Sequence, residues 1–313
     1  MIIYGAGMSG LLAATMLRRF DPVIHEAAPE LPNNHAALLR FRTDAVSKAT
    51  GISFKKVWVQ KAVMGEDGKL QSYASIKDQN CYSLKVSGEV RGRSIGNLAA
   101  GERYIAPEDF ISQLAKGLKI EFGKPLDRYT IELSDKSKPV ISTIPMNVLM
   151  GIADWNEKPE FKYNEITTIS AEIVSPNFEI YQTIYYPYDE CVAYRASVTG
   201  NKLIVEFVGD REDLQVLPLK GVLREYLKDF MAGDSFCLEN ISIKKQKYGK
   251  LVNSTGRMGK EFILAMTDLH GIYSLGRFAT WRQILMDDVV QDVKLIEQMI
   301  DQRDSYSRRL RMA

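Results

Sequence analysis

The chain of 313 residues carries 41 basic and 39 acidic side chains, and 45% of its residues are hydrophobic. A chain of this length buries a substantial core and usually divides into about two domains. Its apolar runs fall far short of the ~20 residues that a membrane span needs, and no basic segment precedes the first one, so we expect a cytoplasmic protein without a membrane anchor. The three cysteines form no CxxC pair and the three histidines show no metal-ligand spacing. We therefore expect reduced thiols and no metal site.

The first ten residues combine a short apolar strand with three glycines at GxGxxG spacing. Residues 1–4 form the strand, and Gly5, Gly7 and Gly10 follow as a helix begins. The first glycine permits a tight turn, the second lets a pyrophosphate approach the backbone, and the third lets the helix pack closely on the strand. An anion at this position meets the unpaired amides at the positive end of the helix.

A second strand predicted at residues 23–25 ends in an acidic side chain, Glu26. In dinucleotide-binding folds an acidic residue about 20 positions after the glycine motif binds a ribose hydroxyl. A glycine-rich turn with a purely structural purpose would leave Glu26 unexplained. The strand–helix–strand segment therefore predicts a dinucleotide site.

Apolar periodicity predicts a further series of elements up to residue 150. They are a loop at 27–34, a helix at 35–50, strands at 52–63 and 70–76, a helix starting at Pro107, and strands at 119–122, 129–133 and 140–144.

The stretch from residue 165 to 208 has a different character, because short strand-like runs alternate with Pro, Asp and Gly-Asn turns. The predicted strands are 166–174, 180–186, 191–197 and 203–208, and a helix at 212–231 follows. This pattern is typical of an antiparallel sheet. It is rich in tyrosine, with Tyr181, Tyr185, Tyr186, Tyr188 and Tyr194.

The last third of the chain returns to parallel-sheet character. Strands are predicted at 262–265 and 271–275, and Gly276-Arg277 comes directly after the second of them. Met286-Asp287-Asp288 then opens a long helix. The two acids complement the dipole at the helix start, and the unpaired backbone amides there are alternatively suited to a carbonyl group of a ligand. These features divide the chain into a discontinuous cofactor domain (1–50, 105–150 and 255–313) and a substrate domain (51–104 and 151–254).

Positive charge is unevenly distributed along the chain. The basic clusters are Arg40, Arg42, Lys48, Lys55, Lys56 and Lys61; Lys244, Lys245, Lys247 and Lys250; and Arg308, Arg309 and Arg311. Each cluster is consistent with a solvated face. Together they also fit an anionic substrate, which could be a nucleotide, a sugar nucleotide or nucleic acid.

The glycine motif and the C-terminal Gly-Arg and Met-Asp-Asp segments resemble those of UDP-galactopyranose mutases. More widely they resemble FAD-dependent amine oxidases and protoporphyrinogen oxidase-like flavoproteins, whereas the middle of the chain is similar in architecture only. The resemblance implies FAD and an α/β fold, in which a Rossmann-like FAD-binding domain of the glutathione-reductase-2 type carries an inserted, mostly antiparallel substrate domain. It implies FAD contacts at Gly5, Gly7, Ser9 and Gly10 for the pyrophosphate, Glu26 for the ribose, Gly276 and Arg277 in the returning segment, and Met286 and Asp287 beside the pyrimidine edge of the flavin.

One departure from this family concerns the segment after the ribose acid. The mutases and amine oxidases usually carry a Gly-Gly element there, but residues 31–37 read LPNNHAA. The face of the flavin is therefore built differently, and the substrate does not follow from the resemblance. His35 lies where the mutases place a histidine near the flavin, although an exposed loop histidine fits the sequence equally well.

The leading hypothesis is an oxidoreductase of the amine-oxidase class, which oxidises a C–N bond of an anionic substrate by hydride transfer to flavin N5. Tyr185, Tyr194 and Arg195, with His35, are the candidate catalytic residues. Buried tyrosines are also common in cores, whereas a desolvated arginine binds a carboxylate or phosphate as a fork. Trp281 and Arg282 either complete the pocket or cap the last helix.

Three alternatives remain open. The first is a non-redox mutase that uses reduced FAD on a UDP-sugar, and the second is a flavoenzyme that acts on amino-acid-modified bases of phage DNA. The third is a binding module without catalysis. A second GxGxxG and a CxxC are both absent, so we expect neither an NAD(P)H domain nor disulfide reduction. The electrons then come from the substrate itself or from a free reductant that activates the enzyme once. The sequence predicts a small-molecule or nucleotide-linked anionic partner and leaves the oligomeric state open.

Overall fold

The structure is a computed structural model that describes residues 1–31, 39–90, 94–135, 138–175, 178–231 and 236–312. Among these residues the strands are β1 (Ile2–Tyr4), β2 (Val23–Glu26), β3 (Arg40–Phe41), β4 (Lys55–Met64), β5 (Leu70–Gln71), β6 (Gly101–Ile105), β7 (Lys119–Phe122), β8 (Val140–Ser142), β9 (Tyr163–Val174), β10 (Ile180–Tyr185), β11 (Arg195–Gly200), β12 (Lys202–Val208), β13 (Cys237–Leu251) and β14 (Ile272–Ser274). The α-helices are α1 (Met8–Met16), α2 (Ala45–Thr50), α3 (Ile76–Ser87), α4 (Phe110–Ala115), α5 (Arg128–Glu132), α6 (Met146–Ile152), α7 (Leu219–Leu227), α8 (Gly256–His270) and α9 (Met286–Met312). Short 3₁₀ turns lie at Arg18–Phe20, Ser94–Gly96 and Glu212–Gln215.

Five strands form a parallel sheet in the order β14-β8-β1-β2-β7. Helices α1, α4 and α9 bury apolar side chains on one face, and α6 and α8 do so on the other. Because both faces are covered, the central strands are largely apolar, and Ile3 and Ile24 have no exposed surface, whereas the edge strand β7 is largely exposed. The predicted Rossmann-like domain is confirmed.

The second sheet has the order β13-β9-β12-β11-β10-β4-β6-β3, and β5 pairs with the outer part of β4. All its pairs are antiparallel except β4 with β10. On one face, alternate residues of β9 to β12 pack with α7 into a separate apolar core. The other face, called the inner face below, carries mostly polar and charged side chains. The prediction of a mostly antiparallel second sheet is confirmed, and its role in binding a substrate stays a prediction.

Two predicted strands are helical instead. Residues 129–133 fall largely in α5, because Asp127 caps this short helix by accepting a hydrogen bond from the Thr130 amide at 2.7 Å. Residues 262–265 lie inside α8, where Phe262 is buried while Leu264 is 60% exposed. That spacing follows the helical period, which a four-residue apolar run is too short to reveal.

Several other predicted boundaries also shift. The predicted helix at 35–50 is helical only from Ala45, and β3 precedes it. The predicted helix at 212–231 becomes a 3₁₀ turn followed by α7, because Pro218 stands at the junction between them. Strand β3 belongs to the second sheet, although the predicted cofactor domain extends through residue 50. No helix in the described part of the chain is both long and apolar enough to span a membrane.

Candidate functional site

The glycine turn between β1 and α1 has the geometry that its spacing predicts. Gly5 has a φ of +100°, and a Cβ there would lie 2.3 Å from Thr143 Oγ1. A Cβ at Gly10 would lie 1.9 Å from the Gly5 carbonyl oxygen, so α1 packs directly on the turn. A Cβ at Gly7 would meet no atom within 4 Å. The first and third glycines are therefore required by packing, whereas the second borders open space.

The Glu26 carboxylate is fixed at the entrance of this turn. Its Oε2 accepts a hydrogen bond from the Ala6 amide at 2.6 Å, and its Oε1 accepts one from the Ala28 amide at 2.9 Å. The residue is only 8% exposed. Each carboxylate oxygen has a second lone pair, so the group can still accept hydrogen bonds from the hydroxyls of a ribose.

The segment after β14 returns to the glycine turn. Gly276 has a φ of +97°, and a Cβ there would lie 2.7 Å from Ser9 Oγ. The Gly276 carbonyl accepts hydrogen bonds from the Thr280 amide at 3.0 Å and from Thr280 Oγ1 at 2.7 Å. The structure thus brings Ser9 and Gly276, which are far apart in sequence, into direct contact.

The start of α9 is tied to the segment between β3 and α2. Asp287 Oδ1 accepts hydrogen bonds from the Thr43 amide at 3.0 Å and from Thr43 Oγ1 at 2.5 Å, and its Oδ2 accepts one from the Arg42 amide at 3.2 Å. The Asp287 side chain therefore holds two chain segments together. The amides of Asp288 and Val289 donate to the Leu285 carbonyl at 3.0 and 3.1 Å, so the amides of Met286 and Asp287 are the groups there that suit a ligand carbonyl. Met286 packs against the core of the parallel-sheet domain.

A cavity of about 840 Å³ lies between the parallel-sheet domain and the second sheet. This volume is within the range of small-molecule and cofactor sites. One wall consists of residues 29–31 after β2, residues 105–108 before α4, and Phe122 at the end of β7. The opposite wall is the inner face of the second sheet, including Thr168, Ser170, Tyr181, Thr199, Ile204, Lys202, Ser242 and Lys244.

The inner face is strongly cationic. Strand register places these basic residues on it: Arg40, Lys55, Lys61, Arg103, Arg195, Lys202 and Lys244. In the described strands the carboxylates of this face are fewer, namely Glu206 near the centre and Glu172 and Glu239 at one end. Such an excess of positive charge beside a cavity favours an anionic ligand.

At the centre of the inner face, Glu206 binds Arg195 as a fork. Arg195 Nη2 donates to Glu206 Oε1 at 2.7 Å, its Nε donates to Oε2, and Tyr194 OH donates to Oε1 at 2.9 Å. Burial by itself would raise the pKa of Glu206, but the charge and hydrogen bonds of Arg195 hold it below its usual value. The Arg195 fork, which the sequence assigned to a substrate, is thus occupied by a carboxylate of the protein.

Two further arginines, Arg40 and Arg277, lie close enough to Arg195 to be affected by its charge. Burial, and then the charge of Arg195, lowers the pKa of Arg40 to about 10. The same two causes lower the pKa of Arg277, whose Nε donates to the Ile284 carbonyl at 3.0 Å. In the described residues no carboxylate pairs with Arg40 or Arg277. In the described residues the site therefore contains Arg40, Arg195 and Arg277, with Arg103 close enough to act on Arg40, and Glu206 is the carboxylate that acts on Arg40 and Arg195.

The other predicted site residues occupy different environments. Tyr185 is 6% exposed and lies opposite Arg195 in the β10–β11 pair. Tyr194 has no exposed surface, and it donates its hydrogen bond to Glu206 from within the core. Trp281 is buried, and the exposed Arg282 pairs with Asp292 on α9. His35 lies outside the described residues.

The sequence predictions did not include Glu206 or the role of Arg40. A carboxylate inside the apolar run of β12 is the signal that could have revealed Glu206, because buried acids are almost always paired. Arg40 carries no such local signal, since it stood among several basic residues in one cluster.

Comparisons with known proteins identify the fold. No family model matches the chain, and no curated protein matches its sequence. Among solved structures, reduced UDP-galactopyranose mutase has a TM-score of 0.69 at 14% identity, covering 96% of this chain and 95% of that one. A double mutant of putrescine oxidase has a TM-score of 0.55 at 10% identity, covering 96% and 98%. Aklavinone-11 hydroxylase, solved with FAD and aklavinone, has a TM-score of 0.52 at 12% identity, covering 96% and 61%.

The chain therefore has the fold of the flavoproteins that include the amine oxidases and UDP-galactopyranose mutase. This confirms the predicted resemblance at the level of the fold.

Proposed function

We propose that this chain binds FAD and is an oxidoreductase that oxidises a C–N bond of an anionic substrate. The observation that carries the proposal is the position of the dinucleotide turn beside the cationic inner face. A dinucleotide turn or a cationic face alone occurs in many proteins, but together the two provide a cofactor site and, next to it, a place for a negatively charged molecule.

The residues present fit FAD. The open space beside Gly7 and the amides at the start of α1 suit a pyrophosphate, and the fixed carboxylate of Glu26 suits a ribose. Gly276 keeps the returning segment against the same turn, and the start of α9 offers amides to the ring. When bound, FAD supplies the capacity to accept a hydride.

The chain's own residues bind and orient the substrate. Arg40 and Arg277, which lack carboxylate partners in the described structure, are suited to its anionic group. Arg195 is held in one orientation by Glu206 and adds positive charge to the site. Tyr185 contributes an apolar wall that excludes water.

The cationic surroundings also favour the neutral form of a substrate amine. A positive charge near an ammonium group disfavours the charged form and lowers its pKa. An amine held beside Arg195 and Arg277 thus loses its proton more readily than in water. The hydride leaves from the C–H bond of the carbon next to the nitrogen, and the lone pair of a neutral nitrogen forms the C=N bond as it does so, which is why we favour amine oxidation.

The visible spectrum of the purified protein tests the cofactor, and anaerobic titration with anionic amines tests the reaction. We expect the bands of an oxidised flavin, bleached by an amine that also carries a carboxylate or phosphate. An amine of similar size without the anionic group is the matched control. A colourless protein that cannot be loaded with FAD would overturn the proposal.

A second candidate, a non-redox mutase acting on a UDP-sugar, is favoured by the TM-score of 0.69 to UDP-galactopyranose mutase. The two candidates differ in their requirement for reduced flavin. A mutase turns over only after reduction with dithionite and consumes no electrons, whereas an oxidoreductase bleaches with its substrate and turns over with an electron acceptor. An amino-acid-modified oligonucleotide in the same titration tests the alternative that the substrate is DNA.

A further inference from the structure

Arg40 occupies an unusual position for a charged side chain. It lies on β3, the last strand of the second sheet, and its Nη2 donates to Thr183 Oγ1 on β10 at 2.5 Å. Thr183 Oγ1 lies 3.0 Å from Ser197 Oγ on the neighbouring strand β11. The guanidinium group is thus oriented by a short hydrogen-bonded chain across the inner face.

The other terminal nitrogen of Arg40 is buried and has no hydrogen-bond partner among the described residues. A guanidinium N–H that loses water without gaining an acceptor is energetically unfavourable, and the effect is larger for a charged group than for a neutral one. Native structures satisfy nearly all buried polar groups, and an exception indicates a functional reason or a missing ligand.

The surroundings of Arg40 make its charge more unfavourable still. Its nearest charged neighbours include Arg195 and Arg103, and both are positive. The carboxylate of Glu206 is close enough to act on Arg40, but it is bound by Arg195 through two hydrogen bonds. The missing acceptor must therefore come from outside the described protein, and a negative charge on it would relieve the repulsion between the arginines.

We propose that Nη1 of Arg40 binds the anionic group of the substrate, a carboxylate or a phosphate monoester, and that Arg40 thereby selects anionic substrates. This inference rests on the proposed function, because it assigns one residue of the same site. The planar guanidinium, fixed by Thr183 on one side, presents its other nitrogen in a defined direction, which suits an oxygen acceptor.

Arg277 supports the same assignment from the returning segment. Only its Nε has an acceptor in the described structure, the Ile284 carbonyl, so its terminal nitrogens remain for a ligand. Arg40 and Arg277 both act electrostatically with Arg195. An anion between these groups would be bound by charge-assisted hydrogen bonds, which are roughly twice as strong as neutral ones.

The test uses the FAD-loaded protein and three variants, Arg40→Met, Arg40→Lys and Arg128→Met. Arg128 is exposed on the far side of the parallel sheet and pairs with Glu132 and Asp154, so its variant controls for the loss of one positive charge. Each protein is titrated at constant ionic strength with phosphate, with acetate and with chloride. The unfolding temperature and the flavin absorbance spectrum are the readouts.

We expect phosphate or acetate, but not chloride, to raise the unfolding temperature of the wild type and of the Arg128→Met variant to a plateau. In Arg40→Met the anion affinity falls at least about tenfold, and in Arg40→Lys it falls less, since one charged donor remains. Without added anion, Arg40→Met unfolds at or above the wild-type temperature, because a buried charge without a partner has been removed. A stronger response to phosphate points to a phosphoester substrate, and a stronger response to acetate points to a carboxylate.

The proposal is overturned if the wild type shows no saturable response, or if Arg40→Met responds as the wild type does. It is also overturned if Arg40→Met keeps the response but loses FAD, because Arg40 then holds the cofactor. A response to an oligonucleotide alone overturns it in favour of nucleic acid. Failure of the proposed function has a different signature, namely a chain that cannot be loaded with FAD.

Discussion

The two glycines at positions 7 and 10 allow packing and cofactor binding to be separated. A Cβ at Gly10 would lie 1.9 Å from the Gly5 carbonyl oxygen and 3.1 Å from the Gly5 carbonyl carbon, and both atoms belong to rigid backbone. Relieving such a clash in a packed interior costs about 1–3 kcal/mol or more. At Gly7 a Cβ meets nothing within 4 Å, and the φ of −69° and ψ of 174° suit any residue. Alanine there should cost about 0.5 kcal/mol or less.

The variants Gly7→Ala and Gly10→Ala are compared by thermal unfolding without FAD and by FAD titration. We expect Gly7→Ala to unfold within about 2 °C of the wild type, because its packing is unchanged. Its FAD affinity should fall at least about tenfold, or about 1.4 kcal/mol, since the methyl group occupies the space through which a pyrophosphate approaches the backbone. Gly10→Ala should lose about 5 °C or more, and FAD affinity should fall with it.

Gly151→Ala is the matched control. Gly151 lies in α6, and a Cβ there also meets nothing within 4 Å. Alanine in a helix should leave stability equal or raise it by up to about 1 kcal/mol, without changing FAD affinity. The reasoning is refuted if Gly7→Ala binds FAD as tightly as the wild type and Gly151→Ala do.

Three further predictions concern carboxylates. Glu26→Gln turns an amide NH₂ toward backbone donors and removes charged acceptors, so FAD affinity in the same titration should fall about tenfold; an unchanged affinity would contradict the ribose role. Glu206→Gln leaves Arg195 in the interior without its counter-charge, so urea unfolding should show a loss of about 3 kcal/mol, and a loss below about 1 kcal/mol would show that the pair is not needed. Burial raises the pKa of Asp229, which accepts a hydrogen bond from Tyr186 at 2.7 Å. The folded state therefore favours the protonated carboxyl group, and the stability that this preference contributes is present in acid and is lost as the pH rises through the raised pKa. Asp229→Asn should therefore flatten the decrease of the unfolding free energy as the pH rises above the usual pKa of an aspartate, and a pH dependence equal to that of the wild type would count against this assignment.

The cofactor half of the molecule was predictable because its signals are local. The spacing of Gly5, Gly7 and Gly10 within a few residues dictates a tight turn before a helix, and Glu26 ends the very next strand. The parallel register of β1 with β2 then necessarily brings the acid to the glycine turn. No distant part of the chain is needed to specify this arrangement.

Local signals gave the wrong element where a short apolar run fits both the strand period and the helix period. Residues 262–265 are apolar in sequence and were predicted as a strand, but only the packing of Phe262 and Met266 against α6 makes them helical. The 15-residue strand β13, with its many lysines, was not predicted at all. Its position beside β9 depends on ten matched residue pairs and two register shifts, which composition does not reveal.

The sequence by itself determined the glycine turn, the acid that lies beside it and the presence of an antiparallel sheet rich in tyrosine and positive charge. Only the tertiary structure decided which charges neutralise one another. Arg40 and Thr183 are 143 positions apart, and they meet because β3 and β10 belong to one sheet. Glu206 pairs with Arg195 because the register of β11 with β12 sets them opposite each other. Arg40 is left with the hydroxyl of Thr183 and without a carboxylate partner in the described protein, because electrostatic pairing depends on distance in space, and distance in sequence does not fix it.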